Sequence, residues 1–250
     1  LHNSLFLVAH FHNVIIGGVV FGAFAGIAYW FPKAFGFRLD PFWGKLSFWF
    51  WVTGFYFAFM PLYVLGLMGV TRRLRVFDDP SLQIWFVIAG IGAFLIFLGI
   101  MSFLVQIAVS VLKREALKDV TGDPWNARTL EWATSSPPPA YNFAFTPVVH
   151  DNDAWWDMKR RGYQRPLTGF KPIHMPSNTG TGVILAALAT AMAFGLIWYI
   201  WWLAAVSFIA LLAVAIGHTF NYHRDYHIPA DEVVRVEDAR THLLAAGAKS

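Results

Sequence analysis

The chain of 250 residues predicts an all-α fold, a polytopic bundle of about five transmembrane helices. Hydrophobic residues make up 57% of it and charged residues 14%, too apolar a composition for a solvated surface. The apolar residues also gather into runs of roughly 20 or more, the length of helix that crosses a hydrocarbon core about 30 Å thick. There is no cysteine. Disulfides and thiolate metal sites are therefore excluded, and any metal must be held by nitrogen or oxygen. The net charge of +4 forms no nucleic-acid stripe and is read as topology, an excess of Lys and Arg in cytoplasmic loops.

The chain opens at Leu1 without a start methionine, a charged leader or a small-residue cleavage site. It is expected to be the C-terminal part of a longer protein and not to open on a signal peptide. Ser4 to Trp30 is the first span, ended by the polar break "FPKAFGFRLD". Phe42 to Gly69 is the second, with Pro61 a kink that membrane helices tolerate. After "TRRLRVFDDPS", Leu82 to Leu112 is the third, closing a region 1–112. Residues 113–180 hold no run long enough to cross. Their "DVTGDPWNARTLEWATSSPPPAYNF" predicts an extramembrane loop, with "SSPPPAY" extended as polyproline II. Gly182 to Gly217 as one helix would measure about 54 Å. Region 181–220 is therefore read as two short spans meeting at "IWYIWW", where Tyr and Trp form an interfacial belt. The tail, 221–250, is polar, and its "ADEVVRVEDARTHLLAAG" has the pattern of a short amphipathic surface helix but is read as a solvated end and not as a binding element.

Five spans put the loop with Lys33, Arg38 and Lys45, the long loop and the tail on one side, which the positive-inside rule makes cytoplasmic. "TRRLRVFDD" is then outside, where its three arginines run against the rule and are expected to hold anions. For Arg75, pairing with Asp78 and Asp79 is the alternative.

Ionisable groups inside hydrocarbon are costly and mark sites. The first span holds His10 and His12, while the interiors of the other spans hold no Asp, Glu, Lys or Arg, so a proton relay made from this chain alone is not expected. Residues two apart on a helix point about 200° from each other. His10 and His12 therefore face opposite sides and serve two centres. Neutral imidazole in a dry interior without thiolate suits haem iron, and two centres flanking one helix predict two haems close together. His2, eight residues before His10 and about 12 Å nearer the outer surface, meets water, an ion or a propionate; the alternative is an interfacial histidine with no ligand role.

"AHFHNV", preceded by "LHNS", resembles the two-haem ligand helix of subunit I of the haem-copper terminal oxidases. "MGVTRR" resembles that family's propionate-binding arginine pair, and "GDPWNARTLEWATSSPPPAYNF" its long loop. The resemblance runs through nearly the whole chain, in its closest form to the cytochrome bo-type ubiquinol oxidases, whose C-terminal spans and "IHMPSN" lead-in it shares. By resemblance, His10 is the proximal ligand of the high-spin haem (haem o or a) that faces copper, and the catalytic position. His12 is an axial ligand of the low-spin haem, of b type. Arg72 and Arg73 fall on the propionate pair. His2 falls where the family has an outer-side polar site near a magnesium ion. Asn3 stands where cytochrome c oxidases carry an aspartate that helps hold that ion, a departure that favours a quinol oxidase.

Among other candidates, His223 and His227 in "NYHRDYHIP" have metal-ligand spacing if helical, but Pro229 makes a solvated connector the preferred reading. His150 and His174 are read as structural. The family's copper ligands, second axial histidine and proton-channel carboxylates belong to helices absent here. The resemblance implies part of the catalytic subunit of a proton-pumping ubiquinol oxidase of a bacterial inner membrane. Its partners are the rest of subunit I, subunits of the II, III and IV types, lipid and ubiquinol, with no nucleic acid. A cytochrome c oxidase is the nearest alternative. A haem-free transporter or structural subunit is the reading from another class.

Overall fold

The computed structural model describes residues 1–74, 76 and 79–247. The chain divides into two compact units, Leu1–Asn142 with Val148–Gln164 and Arg240–Ser250, and Phe143–Pro147 with Arg165–Ala239.

The first unit holds three long helices. α1, Leu5–Phe35, starts at Ser4, whose hydroxyl accepts from Phe6 N and satisfies one of the free N–H groups of the first turn. Residues Ile15–Val20 of α1 form a π-helical turn at "IIGGVV", three residues past His12. α1 ends at Gly36, whose φ of +81° closes the helix in the left-handed region that glycine enters freely. α2, Pro41–Leu67, and α3, Pro80–Leu112, start alike: Asp40 and Asp79 accept from the first backbone N–H groups, and Pro41 and Pro80 occupy the first helical position, where no N–H is needed.

α2 and α3 cross at small residues, as membrane helices do where no hydrophobic force pulls them together. A Cβ on Gly92 would lie 2.1 Å from Ala58 N, and one on Gly54 2.8 Å from Ile96 N. Polar side chains tie the same pair: Ser47 Oγ donates to Gly99 O at 2.9 Å, Gln106 Nε2 to Asp40 O at 3.0 Å, and Asp40 N to Ser110 Oγ at 2.8 Å. The other faces of these helices are apolar and exposed, among them Phe48, Phe57, Ile91, Phe94 and Phe97. That is the pattern of helices whose solvent is lipid.

α1 does not stop at Trp30. It continues through Pro32 and Lys33 to Phe35, because the lysine inside the expected break is satisfied by the long loop. Lys33 is buried and its Nζ donates to Gly122 O at 2.8 Å, Thr134 O at 2.9 Å and Ser135 O at 3.2 Å, with the Trp132 ring centroid 5.1 Å away. The loop is itself ordered by buried polar groups. Asp123 Oδ2 accepts from Trp155 Nε1 and Lys159 Nζ at 2.8 and 3.0 Å, and the short helix α4, Ala154–Arg160, carries both donors.

The second unit is a helical hairpin closed by a two-stranded antiparallel sheet. β1, Ile173–Pro176, pairs with β2, Asp225–Ile228, in the register Ile173 with Ile228 and His174 with His227. Between them α5, Thr181–Ile197, and α6, Trp201–Thr219, turn at Trp198–Ile200. No glycine or proline makes that turn: Tyr199 takes φ 57° itself. Gly195 lets the helices meet, since a Cβ there would lie 2.8 Å from Ala204 N. Among the described residues four helices, α1, α2, α3 and α6, are long and apolar enough to cross a membrane. α5 has 17 residues, at the lower bound of a span. The chain is a multi-pass membrane protein.

The tail forms α7, Ala230–Gly247. It is not a solvated end, because Val233 and Glu237 are buried and Glu237 pairs with Arg165. Its polar sequence hid a buried face held by an ion pair.

Candidate functional site

The N-terminal turns of α1 and the segment after α2 form one structure in the first unit. Leu5 N donates to Val70 O at 3.0 Å, Arg72 N donates to Asn3 O at 3.1 Å, and Ser4 bridges Thr71. Glycine makes the approach possible: a Cβ on Gly66 would lie 2.1 Å from Phe6 N. The Phe6 and Tyr63 rings fill the seam beside it, centroids 4.9 Å apart and edge to face. Gly69 and Arg73, with φ 88° and 67°, turn the chain away from α2. His2, Asn3, Arg72 and Arg73, far apart in sequence, are thereby gathered at one end of α1.

Arg72 is half-buried, and its Nε is buried without a hydrogen-bond acceptor among the described residues. Arg73 and His2 are exposed. The reading of Arg75 with Asp78 and Asp79 falls on Arg75 and Asp78, which lie outside the described residues.

His10 and His12 sit on opposite faces of α1. His12 faces α2, its ring stacked on Phe59 at 4.6 Å and 16° and flanked by Phe11 at 4.3 Å. Its Nδ1 lies 2.8 Å from Val8 O. A carbonyl can only accept, so Nδ1 carries the proton, and in the neutral form of the ring the lone pair lies on Nε2. A backbone partner that fixes the other nitrogen is how ligating histidines are usually oriented. His10 is exposed, with no hydrogen bond to its ring among the described residues. Ala9, fully buried, sits between the faces. The π-helical turn follows within one turn, a local widening that recurs near functional positions.

Among the described residues no three His, Asp or Glu side chains converge as a metal centre. That does not count against a ligand helix which contributes one imidazole to each of two centres. His227 lies in β2, so the helical spacing of His223 and His227 does not form. His150 is exposed, and His174 lies in β1 with its Nε2 2.6 Å from Asp225 Oδ2. Sequence reasoning missed Lys33 as an anchor. A single lysine after Pro32 carries no signal in the sequence that separates an anchor from a solvated charge.

Residues 1–95 match the family described as Cytochrome C and Quinol oxidase polypeptide I. The chain is 53% identical over 241 residues to the probable cytochrome c oxidase subunit 1 of Bradyrhizobium diazoefficiens, covering 95% of this chain and 36% of that protein. It is 50% identical over 253 residues to ubiquinol oxidase subunit 1 of Acetobacter aceti, covering 99% and 38%. It is also 50% identical over 240 residues to the cytochrome bo(3) ubiquinol oxidase subunit 1 of Buchnera aphidicola, covering 95% and 36%. The chain spans a little over a third of the length of these relatives. With close similarity along nearly all its length, the chain belongs to the subunit I family of the cytochrome c and quinol oxidases.

Proposed function

We propose that the chain is part of the catalytic subunit of a haem-copper respiratory oxidase that oxidises ubiquinol, reduces oxygen to water and pumps protons across a bacterial inner membrane. The observation that carries this is half identity, along nearly the whole chain, to subunits named for ubiquinol oxidation.

The residues present fit two haems. His12, with its proton on Nδ1, offers Nε2 to the iron of a low-spin haem of b type. His10, on the other face, would offer its imidazole to a high-spin haem of o or a type. Arg72 Nε lacks an acceptor among the described residues, and a haem propionate would supply one that suits a guanidinium fork. Arg73 beside it adds a second positive charge. When bound, the haems supply electron transfer and the site of oxygen reduction. This chain's own part is to fix two imidazoles on opposite sides of one helix and to hold the carboxylates at its end. Copper ligands and proton channels are assigned to the remainder of subunit I, and the complex is completed by subunits of the II, III and IV types.

The cytochrome c reading stands second, on the name of the Bradyrhizobium relative. Oxygen uptake by the purified full-length complex with each donor decides between them. The expected result is rapid turnover with ubiquinol and none with reduced cytochrome c. Turnover with cytochrome c and a dinuclear copper signal from a partner subunit reverse the assignment. A purified protein without haem absorbance overturns both.

A further inference from the structure

The sheet of the second unit gathers metal-ligating side chains from segments distant in sequence. His174 and His227 are directly opposed in the β1–β2 register, ring centroids 4.8 Å apart and tilted by 35°. Asp225, two residues before His227 and so on the same face, places Oδ2 2.6 Å from His174 Nε2. All three are exposed. The Asp225 carboxyl lies below its ordinary range, first because it is hydrogen-bonded to His174, and also because both imidazoles bear on it electrostatically. It is an anion at neutral pH.

We propose that His174, His227 and Asp225 form a surface binding site for a divalent transition-metal ion of the zinc class. Zinc takes imidazole nitrogen and carboxylate oxygen at about 2.0–2.2 Å in tetrahedral geometry, which sets the centroids of two ligating rings about 5 Å apart. The observed 4.8 Å already meets that separation. The three ligands are not converged on an empty centre among the described residues, because the proton on His174 Nε2 is donated to the Asp225 carboxylate and draws those two side chains directly together. The ion takes that proton's place, which asks the nitrogen and oxygen to part from 2.6 Å to about 3.3 Å, the ligand separation around tetrahedral zinc. Exposed side chains make that movement readily, and water fills the fourth position. In the neutral imidazole the proton that Nε2 gives up is carried on Nδ1, leaving the Nε2 lone pair for the ion. A two-stranded sheet is marginal alone, and this one joins the chain before α5 to the chain after α6, so the ion clasps the two ends of the hairpin.

The test titrates zinc into the full-length protein in detergent against a colorimetric chelator, for wild type, His174→Ala, His227→Ala and Asp225→Asn. The expected result is one zinc equivalent in wild type that weakens by about tenfold or more in each variant. His174→Gln, which retains a hydrogen-bonding group for Asp225, guards against a folding defect: it is expected to melt as wild type does and still to lose the ion. Equal zinc binding in wild type and both alanine variants overturns the proposal. In unmodified protein, zinc is expected to protect His174 and His227 from diethyl pyrocarbonate, read by peptide mass. Saturating zinc that leaves both histidines fully reactive also overturns it.

Discussion

At the scale of single residues, His10 and His12 differ in surroundings although they are two positions apart. His12 is stacked on Phe59 and bonded to Val8 O, while His10 is exposed. Replacing His12 with alanine is expected to abolish the low-spin haem spectrum and leave carbon monoxide binding largely intact; replacing His10 is expected to do the reverse. Loss of the same haem in both variants would refute the two-face arrangement. Arg72 and Arg73 give a second prediction, because a cation near a haem edge favours the added electron. Arg72→Gln, whose parent Nε has no acceptor among the described residues, is expected to lower at least one haem potential by tens of millivolts, where about 59 mV is a tenfold change for one electron. Arg73→Gln is expected to act more weakly, since that side chain is exposed and screened. Redox titration after a check of haem content measures both. The two histidines were legible because imidazole is conspicuous in an apolar run and a helix fixes their angular relation. The His12 tautomer was not, because the Val8 carbonyl that sets it has no signature in residue identity. Nor was the difference between the arginines, which depends on the backbone turn at Arg73.

At the scale of elements, the long spans followed from hydropathy and length alone. Their ends did not, because ends depend on partners. Nothing in "FPKAFGFRLD" distinguishes a solvated lysine from one that three loop carbonyls hold. The sheet was equally hidden, since "IHMP" and "DYHI" are four residues each and meet only when the hairpin between them has formed. The seam between α1 and α2 depends on Gly66. Gly66→Val is expected to force Phe6 away, costing about 3 kcal/mol by overpacking and lowering haem retention through the displaced α1 terminus. Thermal melts and haem-to-protein ratio report the two effects. The turn between α5 and α6 supports a finer test. Tyr199 is left-handed, a conformation that is unfavourable by roughly 1–2 kcal/mol for an L-residue and worst for β-branched side chains. Tyr199→Asn is expected to melt no lower than wild type, and Tyr199→Val about 1 kcal/mol lower; the opposite order would show that the aromatic ring, and not the backbone, sets the turn.

At the scale of the whole molecule, the anchoring of the long loop onto α1 couples the helix with the two histidines to residues about a hundred positions away. Lys33→Met leaves the carbonyls of Gly122, Thr134 and Ser135 without their donor, and each unsatisfied buried acceptor costs about 1–3 kcal/mol. Hydrogen exchange is expected to rise through residues 119–136 before any haem signal changes; unchanged protection there would show that water replaces the lysine at no cost. Lys33 also has a history within each molecule. Gly122 and Ser135 follow it by 89 and 102 residues, so a ribosome adding about 5–20 residues per second presents the lysine without its partners for roughly 5 to 20 seconds. During that interval it is a bare positive charge at the end of a nascent membrane helix, the signal by which insertion machinery decides which end is retained. One amine is therefore met twice, first as an unpartnered charge at the helix end and later, when the loop emerges, as the peg on which that loop is hung.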